Sequence, residues 1–215
     1  MAEHPLLRDL PPPARREVEA ALDRVEVARG ACLYRQGEPA WAVWWLASGR
    51  VRLERRRGGR VRPVGLALPG DLVGEGSLVG EAHYLETARV AEDGVAWRLS
   101  REDYEGLAVR WPLLRLNLLR VLSGKLRERM EELEWCSFAS LQGRLAAYLV
   151  RLCEREGRAE LPLSHRALAC LARTSRESAT RGLRRLARRG LLRQRYGRVE
   201  VLQPERLSDL VGLEG

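Results

Sequence analysis

Apolar positions change their period twice along the 215 residues. Residues 5–23 carry Val18, Ala21 and Leu22 behind Pro11-Pro12-Pro13, a pattern that predicts a short helix entered through proline. From Val25 to about Leu99 short apolar runs such as AVWWLASGRVRLE and TARVAEDGVAWRL alternate with turn residues, and glycines at 37, 49, 58, 59, 65, 70, 74, 76, 80 and 94 separate them. Several short strands with regular turn signals predict an all-β barrel or jelly roll. Gly58-Gly59, between VRLERRR and RVRPVGL, is a hairpin signal, and the charges around it are expected to be solvated and not a binding patch.

The period then becomes helical. Ser100 can cap a helix with Asp103 in its first turn, and little interrupts the segment from Pro112 to about Glu134. Leu119, Leu122, Leu126, Met130 and Leu133 recur at spacings of three or four, with RERMEELE alongside. So narrow an apolar seam on a long helix calls for a partner helix, and the expected partner is a second copy of the chain. SFAS at 137–140 reads as a break before a further helix, LQGRLAAYLVRLCERE.

Residues 161–203 give the clearest pattern. Ser164 can cap a short helix with Ala167, Leu168 and Leu171 inward, and a tight break follows at Ala172-Arg173-Thr174. Ser175 can cap a second helix with Ala179, Leu183 and Leu186 inward, ended by Gly190. LLRQRYGRVEVL then folds back at Tyr196-Gly197. Helix, short turn, helix and hairpin make a winged helix-turn-helix.

Charge sharpens this reading. The formal net charge is +9, but residues 1–136 hold 22 basic and 21 acidic side chains, while residues 137–215 hold 16 and 8. The excess sits in the segment with the helix-turn-helix pattern and suits double-stranded DNA. Within SRESATRGLRRLARRG the one acidic residue, Glu177, lies beside Arg176 and Arg181. Arginine forks onto guanine and a carboxylate accepts from the cytosine amino group, so these three are candidate base readers. A protein that used its arginines for charge alone would gain from losing Glu177. Cys32, Cys136, Cys153 and Cys170 lack metal spacing and are expected to be buried free thiols. No membrane span, secretory signal, nucleophile–base pair or phosphate-binding glycine loop is present, so a cytoplasmic non-enzyme is expected.

TSRESATR resembles the recognition helix of the cyclic-AMP receptor protein / fumarate-nitrate regulator family of bacterial transcription factors. LPGDLVGEGSLVG resembles the family's G-D-x-x-G-E turn, and the layout is similar over nearly all 215 residues. The resemblance implies an α+β chain: an N-terminal β-roll of jelly-roll, cyclic-nucleotide-binding-like type (1–100), a dimerisation helix (101–136) and a C-terminal winged helix-turn-helix (137–215). It implies a homodimeric regulator, by family habit an activator touching RNA polymerase. Arg176, Glu177 and Arg181 would read a two-fold TGTGA–spacer–TCACA site. Ser164, Arg166, Arg173, Ser175, Ser178 and Arg198 would contact phosphates. Arg173 departs from the glycine frequent in the family's turn and would need an unusual backbone.

The same resemblance locates a nucleotide pocket. Gly74-Glu75 match the ribose-gripping pair. The phosphate-binding arginine is replaced by Leu85 or Glu86, and the purine-contacting hydroxyls of the long helix by Arg129 and Met130. A glutamate would repel a phosphate and a leucine would leave it unpaired. Neither cyclic AMP nor haem at His83 is expected, and Arg129 is expected to pair with Glu86 or Glu75 instead. The alternative is a regulator that responds to cyclic nucleotide or another small ligand.

Overall fold

The computed structural model describes residues 4–211; the side chain of Cys170 lies outside the described residues. The chain divides between Lys125 and Leu126 into two compact units.

In the first unit, α1 (Pro12–Ala20) precedes eight strands: β1 (Asp23–Val27), β2 (Cys32–Tyr34), β3 (Ala42–Leu46), β4 (Arg50–Arg57), β5 (Arg60–Ala67), β6 (Leu72–Val73), β7 (Thr87–Glu92) and β8 (Gly94–Ser100). They form two four-stranded sheets, ordered β1-β8-β3-β6 and β2-β7-β4-β5. The run AVWWL in β3 is buried along its whole length because each face meets a different core. Val43 and Trp45 join Leu6, Val18, Leu72, Leu99 and Tyr104, whereas Trp44 and Leu46 join Tyr34, Val51, Leu53, Tyr84 and Val90. The β4–β5 hairpin turns at Gly58-Gly59, as the sequence predicts.

Ser100 caps α2 (Arg101–Arg110) by accepting from the Asp103 N–H at 3.0 Å. Pro112 disfavours helix at the residue before it, so the chain restarts as α3 (Leu113–Phe138), about 39 Å long at 1.5 Å per residue. Asn117 on α3 donates to Leu6 O and Arg8 O at 2.9 and 2.7 Å, tying the N-terminal segment to the helix. Leu119, Leu126, Met130 and Leu133 are 62, 62, 55 and 55 % exposed. Leu122, expected on the same seam, instead packs half-buried against the unit's own core beside Val121. The exposed row takes Ser123 in its place and runs 116, 119, 123, 126, 130, 133, which alternates three and four.

In the second unit, α4 (Leu141–Glu156) is capped by Ser140, which accepts from the Gly143 N–H at 3.2 Å. After β9 (Glu160–Leu161) come α5 (His165–Leu171), α6 (Arg176–Arg188), β10 (Leu192–Arg195), β11 (Arg198–Val201) and α7 (Pro204–Ser208), with the strands ordered β10-β11-β9. Leu145, Leu149, Leu161, Leu168, Ala172, Ala179, Leu183, Leu186, Val199 and Leu207 are fully buried. On α5 and just after it the inward positions are Leu168, Ala169 and Ala172; Ala167 and Leu171 are only half-buried, a one-residue rotation from the expected face. Gly182 lets α6 cross α4 closely, since a Cβ there would lie 2.5 Å from Leu145 Cδ1. Cys32, Cys136 and Cys153 are half-buried rather than buried free thiols.

Candidate nucleic-acid interface and effector-type pocket

The second unit presents α6 as an amphipathic rod. Ala179, Leu183 and Leu186 face the core, and Arg176, Glu177, Arg181, Arg184, Arg185 and Arg188 are exposed. Ser175 starts the helix by accepting from the Ser178 N–H at 3.1 Å, and its hydroxyl bonds the Ser178 hydroxyl at 3.1 Å. Arg181 donates to Ser178 Oγ at 3.0 Å, which holds its guanidinium along the first turn. Glu177 sits in that first turn. Its carboxyl is held below the usual range by its own backbone N–H, then by the Ser175 hydroxyl, with Arg176 and Arg181 adding to the effect. The acid is therefore charged and exposed, and it can accept from a base amino group.

The turn before α6 behaves as its sequence implied. Arg173 adopts a left-handed φ of +50°, the region glycine occupies without strain. Arg144 braces this turn, donating to Ala172 O at 3.3 Å and to Ala139 O at 3.0 Å. Nothing in its spacing marked Arg144 beforehand; only the fold brings the two carbonyls together. Ser164 caps α5 by accepting from the Ala167 N–H at 3.1 Å, and Arg166 beside it is exposed. In the wing, Arg198 is held by Glu160 at 2.9 Å, and Arg193 by Glu200 at 3.1 Å.

A cleft of about 430 Å³ lies beside α6, lined by Ser140, Leu141, Gln142, Ser178, Arg181, Gly182 and Arg185. Its α4 side is a helix N-terminus and its α6 side carries two guanidinium groups, so both walls favour an anion. The sequence marks a helix start after 137–140 but not its closeness to α6, because residues about 40 positions apart reveal their proximity only when folded.

In the first unit, Gly74 has φ +77°, and a Cβ there would approach Tyr84 Cε1 at 3.0 Å and Tyr34 Cε1 at 3.1 Å. Those two rings stack at 3.9 Å, and Tyr84 donates to Ala42 O at 2.7 Å. Glu75 follows Gly74 and is occupied: Lys125, the single lysine of the chain, reaches its Oε1 at 2.6 Å and donates to Leu72 O at 2.6 Å. This corrects the expected pairing of Arg129. Arg129 binds Glu132 at 2.8 Å, and Arg151 binds the other Glu132 oxygen at 2.7 Å while lying over the Trp135 ring. Glu86 pairs with Arg55 at 3.5 Å; burial raises its carboxyl and Arg55 opposes that rise. Leu85 is 51 % exposed, and Met130 lies on the exposed α3 row. Arg89, the nearest later arginine, is engaged by Glu54 at 3.3 Å and Gly30 O at 3.0 Å. His83 is exposed, and among the described residues no group of three or more His, Cys, Asp or Glu could hold a metal.

Known proteins agree with this arrangement. Residues 24–110 match the cyclic nucleotide-binding domain family, and residues 143–210 match the Crp-like helix-turn-helix domain family. Over 98 % of both chains the sequence is 38 % identical to the Cyclic AMP receptor protein of Thermus thermophilus. A crystal structure of a CRP/FNR-family regulator, also from Thermus thermophilus, covers 90 % of this chain and 100 % of its own, at 28 % identity and a TM-score of 0.74. FixK2 from Bradyrhizobium japonicum shares the fold at 21 % identity, with a TM-score of 0.81, over 90 % of this chain and 99 % of its own. With its two domains matched in order and its relatives aligned along nearly their full length, the chain belongs to the CRP/FNR family of transcription regulators and carries that family's DNA-binding helix-turn-helix.

Proposed function

We propose that the protein acts as a homodimer on a two-fold TGTGA–spacer–TCACA DNA site, as an activator working with RNA polymerase in the cytoplasm, without needing cyclic AMP. The observation that carries the DNA reading is the exposed trio Arg176, Glu177 and Arg181 on the first turns of α6, with Glu177 the acid of the first turn. Two arginines supply guanine forks and the glutamate accepts from the cytosine opposite. Ser164, Arg166, Arg173, Ser175, Ser178 and Arg198 fix the duplex through its phosphates, together with the cleft at the start of α4. Arg198 exchanges Glu160 for a phosphate on binding. The exposed Leu119–Leu126–Met130–Leu133 row supports the dimer, and two copies match a two-fold site.

Independence from cyclic AMP is supported by the pocket chemistry. The carboxylate that would grip the ribose is neutralised by Lys125, and the phosphate position offers Leu85 or Glu86. Lys125 holds α3 against β6 and Glu75 in the way a bound ligand would otherwise have to. A second reading, a regulator that does respond to cyclic AMP, is favoured by the name of the Thermus thermophilus relative. Binding to a fluorescent TGTGA–N6–TCACA duplex and to a scrambled duplex, at fixed salt, with and without cyclic AMP, separates the two. The proposal expects specific binding in both conditions. Binding only with the nucleotide selects the second reading, and equal binding to both duplexes rejects base reading by the trio.

A further inference from the structure

The β4–β5 hairpin arranges charge in a way the roll itself does not require. Its register sets Arg55 opposite Arg62 and Arg57 opposite Arg60. Residues directly opposed in an antiparallel pair share a face, as do residues two apart on one strand. Arg55, Arg57, Arg60 and Arg62 therefore share one face, and Arg56 and Val61 the other. The register shift lies between Leu53 and Glu54, so alternation from 55 to 62 is regular. Gly58 and Gly59, at φ +55° and +73°, close the ribbon with a turn that needs both left-handed residues. All four arginines are exposed, and of the four only Arg55 has an acidic partner among the described residues, Glu86.

Like charges directly opposed across a ladder destabilise it. Charge on the edge strand β5 deters unwanted strand pairing, and Arg60 and Arg62 serve that purpose. Arginines at 55 and 57 on β4 add repulsion without adding protection to the edge. We propose that this four-arginine face binds the phosphate backbone of duplex DNA, separately from base reading by α6. The planar guanidinium fork matches phosphate oxygens, and four of them fit a repeating polyanion. An interface with another protein would need an apolar centre, whereas the apolar residue of this stretch, Val61, lies on the opposite face. A small polyphosphate would need an enclosing pocket, and all four arginines are exposed.

The test uses the full-length protein and a sequence-scrambled duplex, so its result does not depend on whether Arg176, Glu177 and Arg181 read bases. Affinity is measured across a salt series for the wild type and R57Q/R60Q. The slope of log affinity against log salt is expected to shallow by about 0.9 for each phosphate no longer neutralised, with roughly tenfold weaker binding at low salt. The melting temperature should hold or rise, because repulsion has been removed. In the wild type, DNA should shield Arg57, Arg60 and Arg62 from an arginine-specific dicarbonyl reagent, read by mass spectrometry. An unchanged slope, or full labelling of the three arginines in the presence of DNA, overturns the proposal. Shielding by polyglutamate or inorganic triphosphate but not by DNA also overturns it and assigns the face to an acidic polypeptide or a small polyanion respectively.

Discussion

Glu177 shows how one residue can be read against its surroundings. A carboxylate in a basic helix weakens attraction to every phosphate, so its presence needs a gain elsewhere, and a base amino group supplies one. Glu177→Ala should bind scrambled DNA more tightly than the wild type while losing about 1–3 kcal/mol of preference for the TGTGA-type site. Parallel titrations of both duplexes measure this; retained preference would reduce Glu177 to a partner of the helix N-terminus. His4 makes a different residue-scale argument. Its Nδ1 accepts from the Leu6 N–H at 3.2 Å and its ring lies against Trp45. Burial, opposed by a backbone hydrogen bond, lowers its pKa from 6.5 to about 4. Above pH 6.5 the folded and unfolded chains both carry a neutral imidazole. As pH falls from 6.5 to about 4 the unfolded chain gains a proton that the folded chain refuses, so stability declines across that window by about 3 kcal/mol in full. Chemical denaturation of His4→Asn at several pH values should show a shallower decline than the wild type over the same range.

At the scale of elements, the α5–α6 turn shows strain beside function. Arg173 holds a φ of +50° that costs a residue with a Cβ about 1–2 kcal/mol. Arg173→Gly should therefore raise stability by about 0.5–1 kcal/mol, after the greater unfolded-state freedom of glycine is counted. The same change should weaken DNA binding and shallow its salt dependence by the equivalent of about one phosphate. Differential scanning calorimetry and a salt titration read the two effects separately. A variant that gains stability and keeps full affinity would remove Arg173 from the set of phosphate-binding residues. The caps at Ser100, Ser140, Ser164 and Ser175 show why these helix starts could be read from sequence: each is a local bond from a backbone N–H to a serine three residues earlier. Pro112 divides the helix expected over 101–136, because proline disfavours helix at its immediate neighbour Trp111.

At the scale of the molecule, the exposed row on α3 is the seat of the proposed dimer. A row alternating three and four residues, apolar but for Ser123 and exposed among the described residues, fits a parallel or antiparallel copy of itself. Leu126→Glu/Leu133→Glu should convert a dimer to a monomer in analytical ultracentrifugation and lower affinity for the two-fold site at least tenfold, while affinity for a single half-site changes little. A double variant that sediments as a dimer would assign the row another role. The charge split acts at this scale too, because positive charge gathered in residues 137–215 steers that unit toward DNA.

The sequence by itself determined whatever depends on short spacing: the strand-rich first half, the capped helices, the winged helix-turn-helix and the trio on its second helix. The resemblance to the family's turn, where glycine is frequent, also marked Arg173 as a backbone anomaly, and its φ is +50°. The tertiary structure decided which distant groups meet. Lys125 takes Glu75 in place of the expected Arg129, which Glu132 holds together with Arg151. Leu122 leaves the exposed row for the core, because a helix that packs on a sheet and also offers a seam must divide its apolar positions between two directions. The four arginines of the β4–β5 hairpin are exposed, as the sequence led one to expect, and strand register is what sets them on one face. Ion pairs and cross-strand neighbours depend on positions far apart in the chain; periodicity carries no information about them, and packing fixes them.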